Sequence, residues 1–458
     1  MTLRLKPIAA AVVAVCFVSA PVLAASHSSA SKSRSTFRPK VANRSAGIHF
    51  STGGEEFATR IINVNTTKGG PGISMGRRMQ MSGLFNLDGK LSNSAPLSRA
   101  GGFEGKATSD IYVNNFNLLL DGVVNPCLSY HVGLAYLDDG YGPLGTNRDG
   151  GSVFHRGNIT ADEAYVTFDD FSRSPFYLRA GKMWADFGQY ADPYPLTYSL
   201  TQLLEQTRAT GVQVGAVTNY GFYASGAVLS DRLSRNTNST NQGASSTSFA
   251  NTRLNNFTLK GGYQGELQGY DFNGNVSYME DARAVDYVEF AEAQTVGLGS
   301  FNGMGRHNPA WALHGDVGFG PTVGSNYAHT YNVGGDVVKY VRGLVKGSTN
   351  SSRITAWGID GAYAFRLYQR DSQLKVGFSS TTGTYFTRDP YSAAATAPFL
   401  PKWRFLVDYT YHVFPYTSVA LEYTHDKSWQ RFSNLFATAT VLPKGSSNTG
   451  AVRLSVAI

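Results

Sequence analysis

The chain has 458 residues, 50 of them glycine, with 26 tyrosines and 27 phenylalanines but only two cysteines. Two cysteines exclude a disulfide framework, and 40 Lys and Arg against 32 Asp and Glu is too small an excess to mark a nucleic-acid binder. Neither H-E-x-x-H nor C-x-x-C occurs, so no familiar metal-ligating or redox motif supports an enzyme.

Residues 1–24 read as a signal peptide. Arg4 and Lys6 form a basic start, Ile8 to Val18 an apolar core, and Val22-Leu23-Ala24 a small-residue cleavage site. Ser19 and Pro21 break the run before it reaches the roughly 20 residues of a spanning helix. Removal of this segment takes Cys16 away and leaves Cys127, expected to pack on a strand or face lipid. Residues 25–46 are rich in serine and carry Lys32, Arg34, Arg38, Lys40 and Arg44, which predicts a disordered periplasmic tail. It serves either as a solvated linker or as an electrostatic tether to an anionic surface.

From 47 to 458 apolar residues recur at every second position in blocks of about ten, with turn residues between, which is the pattern of transmembrane β-strands. Leu128, Tyr130, Val132, Leu134 and Tyr136 share one face of such a block. In the next, Ala164, Val166 and Phe168 oppose Glu163, Tyr165 and Thr167. After a turn at Asp169 to Pro175, Phe176, Leu178 and Ala180 oppose Tyr177, Arg179 and Gly181. Further blocks run from Tyr270 to Tyr278 and from Trp403 to Tyr411, with weaker ones such as Leu435 to Val441. Aromatic rings stand at the block ends, where interfacial girdles would place them, whereas a soluble sandwich would put Val, Ile and Leu there. Val452, Leu454, Val456 and Ile458 carry the alternation to the chain end, so the last strand is expected to close against the first and leave no edge.

The predicted fold is therefore all-β: a transmembrane antiparallel β-barrel of about 16 strands, at roughly 50 residues per strand pair, with a lumen wide enough for solutes. Long outer loops are expected at 138–160, 231–252, 282–308 and 380–401. The stretch from Asp186 to Tyr198 contains Pro193 and Pro195. After it, Ser199 or Thr201 caps a short helix in which Leu200, Leu203 and Leu204 share a face, with Gly211 ending it. A leucine face needs a dry place, which predicts a constriction loop folded into the pore. Packing over the rim is the alternative.

The run EAYVTFDDFSRSPFYLRAGKMWADFGQY, continued by LTQLLEQTRATGVQVGAV, resembles the core of the LbtU family of siderophore porins, outer-membrane proteins of Legionella and its relatives. VNNFNLLLDGVVNP and LHGDVGFG extend the resemblance over much of the first two thirds of the barrel. It implies an unplugged barrel in a Gram-negative outer membrane that takes up a ferric siderophore. Its partners would be lipid, lipopolysaccharide and the barrel-assembly machinery, with no resident cofactor or metal. Many such complexes are anionic, so Arg179, Lys182, Arg208, Lys375, Arg404 and Arg453 are candidate contacts by charge-assisted hydrogen bonds. Tyr165 and Tyr177 would favour a ligand with flat apolar parts, and Glu163 lies on the same face. A general diffusion porin for small polar solutes, or a structural or adhesive barrel, fits the same mixed lumen.

Overall fold

The computed structural model describes residues 73–74, 79–93, 108–125, 127–137, 159–171, 173–189, 194, 196–218, 220–230, 254–267, 270–285, 308–320, 330–343, 353–382, 400–414, 416–427 and 446–457. The signal segment 1–24, the tail 25–46, Pro193, Pro195, the 435–441 block, Ile458 and most of the predicted long loops lie outside the described residues.

A two-residue piece, β1 (Ile73–Ser74), precedes β2 (Met79–Ser92), β3 (Thr108–Asn125), β4 (Leu128–Leu137), β5 (Ile159–Asp169) and β6 (Phe176–Trp184). A single helical turn, α1 (Leu200–Leu203), separates these from β7 (Arg208–Val217), β8 (Phe222–Ser230), β9 (Leu254–Leu267) and β10 (Tyr270–Met279). The chain continues through β11 (Ala310–Phe319), β12 (Thr330–Gly343), β13 (Arg353–Leu367), β14 (Arg370–Thr382), β15 (Trp403–Phe414), β16 (Thr417–Lys427) and β17 (Ser446–Ala457). Each strand from β2 onward pairs antiparallel with its sequence neighbours, and β17 pairs with β2 from Thr449↔Ser92 to Ala457↔Leu84. Leaving β1 aside, sixteen strands close on themselves, and every strand has two partners. No open edge is left to be satisfied in hydrocarbon.

The two faces are inverted relative to a soluble protein. Ile359 and Leu313 are 58% and 57% exposed on the outside, while Asp88 and Arg453 are 1% exposed within. Because side chains alternate along a strand, one period-two pattern sends every second residue to lipid and the others to the lumen. The blocks read from the sequence keep their parity: Val166, Phe168 and Leu178 face out, and Glu163, Tyr165, Thr167, Tyr177 and Arg179 face in and are buried.

Two belts of rings bound the apolar band. Near one end Tyr270, Phe319, Tyr331, Tyr363 and Phe365 form a continuous row with centroids 4.8 to 6.3 Å apart. Near the other, Phe257, Tyr278 and Trp311 make one group and Trp357, Phe378 and Trp403 a second. Tyr270 and Tyr278 begin and nearly end the same strand. At about 3.3 Å per residue and a tilt of about 40°, their separation projects to about 20 Å along the barrel axis, close to the height of a hydrocarbon band. The barrel spans a membrane with strands.

At one end of the barrel the connections are tight. Leu367 pairs with Arg370, so the β13–β14 turn has two residues, Tyr368 and Gln369, with φ of 50° and 62° as a type I′ hairpin requires. Cys127 lies exposed in the β3–β4 turn, where its N–H donates to Asn125 Oδ1 at 2.8 Å, so of its two expected settings the strand-packed one is not taken.

Gly181 is the one glycine inside β6 whose backbone is left-handed, with φ of 139°. A Cβ there would lie 2.2 Å from the Ala164 carbonyl oxygen and 2.6 Å from Tyr165 Cα, both backbone atoms. Gly181→Ala is therefore expected to lower barrel stability by about 1–3 kcal/mol. The loss would be read as an earlier midpoint of heat-modified migration, and an unchanged midpoint would contradict the close approach.

Candidate functional site

Residues 185–189, 194 and 196–207, between β6 and β7, lie inside the barrel. The two ends of this segment meet, since Ala185 N–H donates to the Thr207 carbonyl oxygen at 2.8 Å. Between them Ser199 caps α1, its Oγ accepting from Gln202 N–H at 3.2 Å, and Leu204 closes the turn. The helix stops after one turn. It does not run on to Gly211 as the sequence suggested, because Arg208 to Val217 are taken up in pairing with β6. Gly211 sits inside that ladder, where a Cβ would meet the Val228 carbonyl oxygen at 2.3 Å.

Leu200, Leu203 and Leu204 are buried with Phe187 against the inward residues Leu229, Met279, Val338, Tyr340 and Ile354. These come from β8, β10, β12 and β13, and they make an apolar patch on an otherwise polar inner wall. Burying a leucine contributes about 1.5–3 kcal/mol, so this face anchors the segment against the wall of β8–β13. The constriction loop expected from the leucine spacing is present and folds inward rather than over the rim.

Polar contacts carry the loop further across. Gly188 N–H donates to Ser277 Oγ at 2.7 Å, and Lys260 Nζ donates to the Gly188 carbonyl oxygen at 2.9 Å. Thr201 Oγ1 donates to Asp336 Oδ2 at 2.9 Å. Leu196 and Thr197 N–H both donate to Glu422 Oε2, at 3.1 and 3.3 Å, and Arg404 Nη1 donates to the Tyr198 carbonyl oxygen at 2.7 Å. The loop thus binds β9, β10, β12, β15 and β16. Its own Glu205 accepts from Gln189 N–H at 3.0 Å. Burial, and then the neighbouring Asp336 carboxylate, push the Glu205 carboxyl well above its ordinary range. At the loop's base Gln213 and Ser225 both donate to Asp186.

The sequence-derived residues fall into separate places. Glu163, Tyr165 and Arg179 form one group on β5 and β6. The Arg179 guanidinium lies 4.4 Å over the Tyr165 ring, which also stacks with His131 at 5.0 Å. His131 Nδ1 is 2.6 Å from Asp121 Oδ1, and its Nε2 is 3.6 Å from Glu163 Oε2. Tyr177 lies beside them on the inner face and accepts from Gln213 Nε2 at 3.2 Å. Arg404 and Arg453 are on β15 and β17, each gripping its own carboxylate. Arg404 donates to Asp426 at 2.7 and 2.9 Å, and Arg453 donates to Asp88 at 2.6 Å twice. Lys375 faces in and pairs in register with Asp408.

Two expectations are corrected. Lys182 pairs with Ala164 and Thr210, which share the outward parity of Val166 and Val212, so it does not face the lumen; its Nζ donates to the Ala161 carbonyl oxygen at 2.6 Å. Gly181, not Lys182, holds the inward position next to Arg179. Arg208 pairs with Trp184 on that same outward parity and stacks on its ring at 4.8 Å.

Sequence reading missed a cluster on β11–β13. His314 Nδ1 is 2.6 Å from Asp336 Oδ1 and its Nε2 is 3.0 Å from Asp316 Oδ1. Asn273 and Asn332 donate to Asp316 at 2.9 and 3.2 Å, and Asp360 leans over Gly334 beside them. Period-two spacing of His314 and Asp316 was visible in the sequence. Their approach to Asp336 depends on the β11–β12 register, which the sequence does not display.

No family model matches the chain. A UPF0422 protein of Coxiella burnetii is 23% identical over 333 residues, covering 69% of this chain and 58% of that protein, so the chain spans less than two thirds of that relative's length. Among solved structures, OprB of Pseudomonas putida in a high-pH form is 9% identical with a TM-score of 0.51, over 83% of this chain and 94% of that one. The outer-membrane channel DcaP of Acinetobacter baumannii is 10% identical with a TM-score of 0.49, over 85% of this chain and 100% of that one. The likeness to OprB is one of fold, and it agrees with the closed sixteen-stranded barrel.

Proposed function

We propose that this chain is a porin of a Gram-negative outer membrane, admitting small polar solutes through a lumen whose aperture is set by the 185–207 loop. The observation that carries the reading is the loop itself. It is pinned from β9 to β16 by hydrogen bonds and by a leucine face, inside a barrel whose outer surface is apolar. A purely structural barrel has no need of a segment held against its inner wall, whereas a pore uses one to limit solute size.

The ferric siderophore implied by the family resemblance is the finer reading. Arg179 and Lys375 are the inward cations that would meet such a complex, with Tyr177 beside Arg179. Arg404 and Arg453 would have to give up Asp426 and Asp88 to take part. Purified full-length protein in planar bilayers separates the possibilities. Stable single-channel steps are expected. Block by a ferric siderophore and not by its iron-free form would establish the specific cargo, and indifference to both would leave the general polar-solute pore. A folded barrel that never conducts would overturn the porin reading.

A further inference from the structure

The lipid-facing surface carries charge of one sign where its apolar band ends. Among the described residues of β11–β16 every Asp and Glu has inward parity, while Lys339, Arg353 and Lys427 have outward parity and are exposed. Lys339 pairs in register with Trp311, and Lys427 with Trp403. Arg353 stands two residues beyond Thr355, the other partner of Lys339. The three form no salt bridge among the described residues. Beside them the rings of Trp357, Phe378, Trp403 and His425 make a continuous row, with successive centroids 5.6, 5.9 and 5.0 Å apart.

Glu280 borders this face on the β10 side, where it accepts from Tyr278 Oη at 2.6 Å. Lys182 and Arg208, outward on β6 and β7, are engaged by the Ala161 carbonyl oxygen and the Trp184 ring. The cationic end is the one with the long connections. β12 ends at 343 and β13 starts at 353, β14 ends at 382 and β15 starts at 403, and β16 ends at 427 and β17 starts at 446. At the opposite end β13–β14 and β15–β16 turn through two residues each, which is the periplasmic pattern, so the cations stand at the outer leaflet.

Exposed cations above an aromatic row and an apolar wall match an amphiphile that carries phosphate on its head and acyl chains below. Arg353 and Lys427 lie three strands apart, about 14 Å at 4.8 Å per strand, so one headgroup meets both only if its phosphates are well separated. A guanidinium takes phosphate oxygens as a fork, and an ammonium takes them as a point charge.

We propose that the β12–β16 face binds a bisphosphorylated glycolipid of the outer leaflet, with phosphates on Arg353 and Lys427, Lys339 beside them, and acyl chains along Ile359 and Val376. The site goes beyond the porin reading and stands or falls without it, since it lies on the outside of the barrel.

The test titrates the full chain in detergent with bisphosphorylated lipid A, its dephosphorylated form and phosphatidylglycerol, and counts retained lipid by native mass spectrometry. Lipid A should be held about 10-fold or more tighter than either comparison lipid, and less tightly in about 0.5 M salt. Arg353→Glu with Lys427→Glu should weaken lipid A by about 10-fold or more, whereas Arg370→Glu, at the opposite rim, should leave it unchanged. Heat-modified migration confirms a folded barrel, and Arg353→Gln with Lys427→Gln carries the same test if the charge reversals do not fold. Equal retention of the dephosphorylated lipid, or a paired variant that holds lipid A as the parent does, would overturn the site. Phosphatidylglycerol held as tightly as lipid A would overturn the assignment to a glycolipid.

Discussion

Replacing Asp88 by alanine is expected to cost the barrel about 3–5 kcal/mol, because it strands a buried guanidinium at the closing seam. Arg453 of β17 and Asp88 of β2 face each other in register, and Nε and Nη2 each donate to a carboxylate oxygen at 2.6 Å. The register shift between Asn86 and Leu87 inserts an extra residue into β3. That bulge turns Asn114 inward, where its Nδ2 donates to Asp88 Oδ2 at 2.5 Å. One carboxylate therefore ties three strands, including the two chain-distant ones whose pairing closes the ring. Asp88→Ala should shift the urea midpoint of refolded barrel well below the parent's. Arg453→Met in the same chain should recover much of the loss, since removing both charges leaves nothing uncompensated. Equal stability of Asp88→Ala and the parent would mean the seam pair is not what holds β17 to β2.

Excising residues 187–206 and joining Asp186 to Thr207 through a short glycine bridge is expected to raise single-channel conductance about 2- to 5-fold, since conductance follows the cross-section of the narrowest point. The excision is geometrically mild, because Ala185 and Thr207 already share a hydrogen bond and β6 and β7 pair without the loop. It bares the apolar patch of Leu229, Met279, Val338 and Ile354, so the shortened barrel should also lose stability. Conductance is the readout that separates the roles: a loop that only stabilises the wall would leave channel size unchanged when removed. A smaller change, Thr201→Val with Glu422→Gln, removes a hydroxyl bond to Asp336 and weakens the acceptor of two loop amides, and should give intermediate or flickering steps.

Much of this fold was legible in the residues because strand periodicity is a local property. Leu128 to Tyr136, Tyr270 to Tyr278 and Trp403 to Tyr411 each announce an apolar face within one strand, and the structure keeps every one of those faces outward. Strand number followed from length, and the inward loop followed from a leucine face that no watery loop would keep exposed. The reading failed where it set aside the strand period or could not weigh a competing element. Lys182 was assigned to the lumen although the strand period already gave that face to Tyr177, Arg179 and Gly181, and the ladder keeps that parity. The helix was drawn to Gly211 because propensity cannot weigh a competing ladder, and β6 claimed everything from Arg208 onward.

By itself the sequence determined which residues face lipid and which face the interior, since alternation is built into each strand and needs no partner to exist. Only the tertiary structure decided which interior charges meet. Arg453 and Asp88, Arg404 and Asp426, or His314 with Asp316 and Asp336, become neighbours through inter-strand register and ring closure, and a slip of one residue would turn any of them to the other face. For that reason Arg179, Lys375, Arg404 and Arg453 were legible as inward groups, while the ion pairs of Arg404 and Arg453 and the contacts of His314 were not.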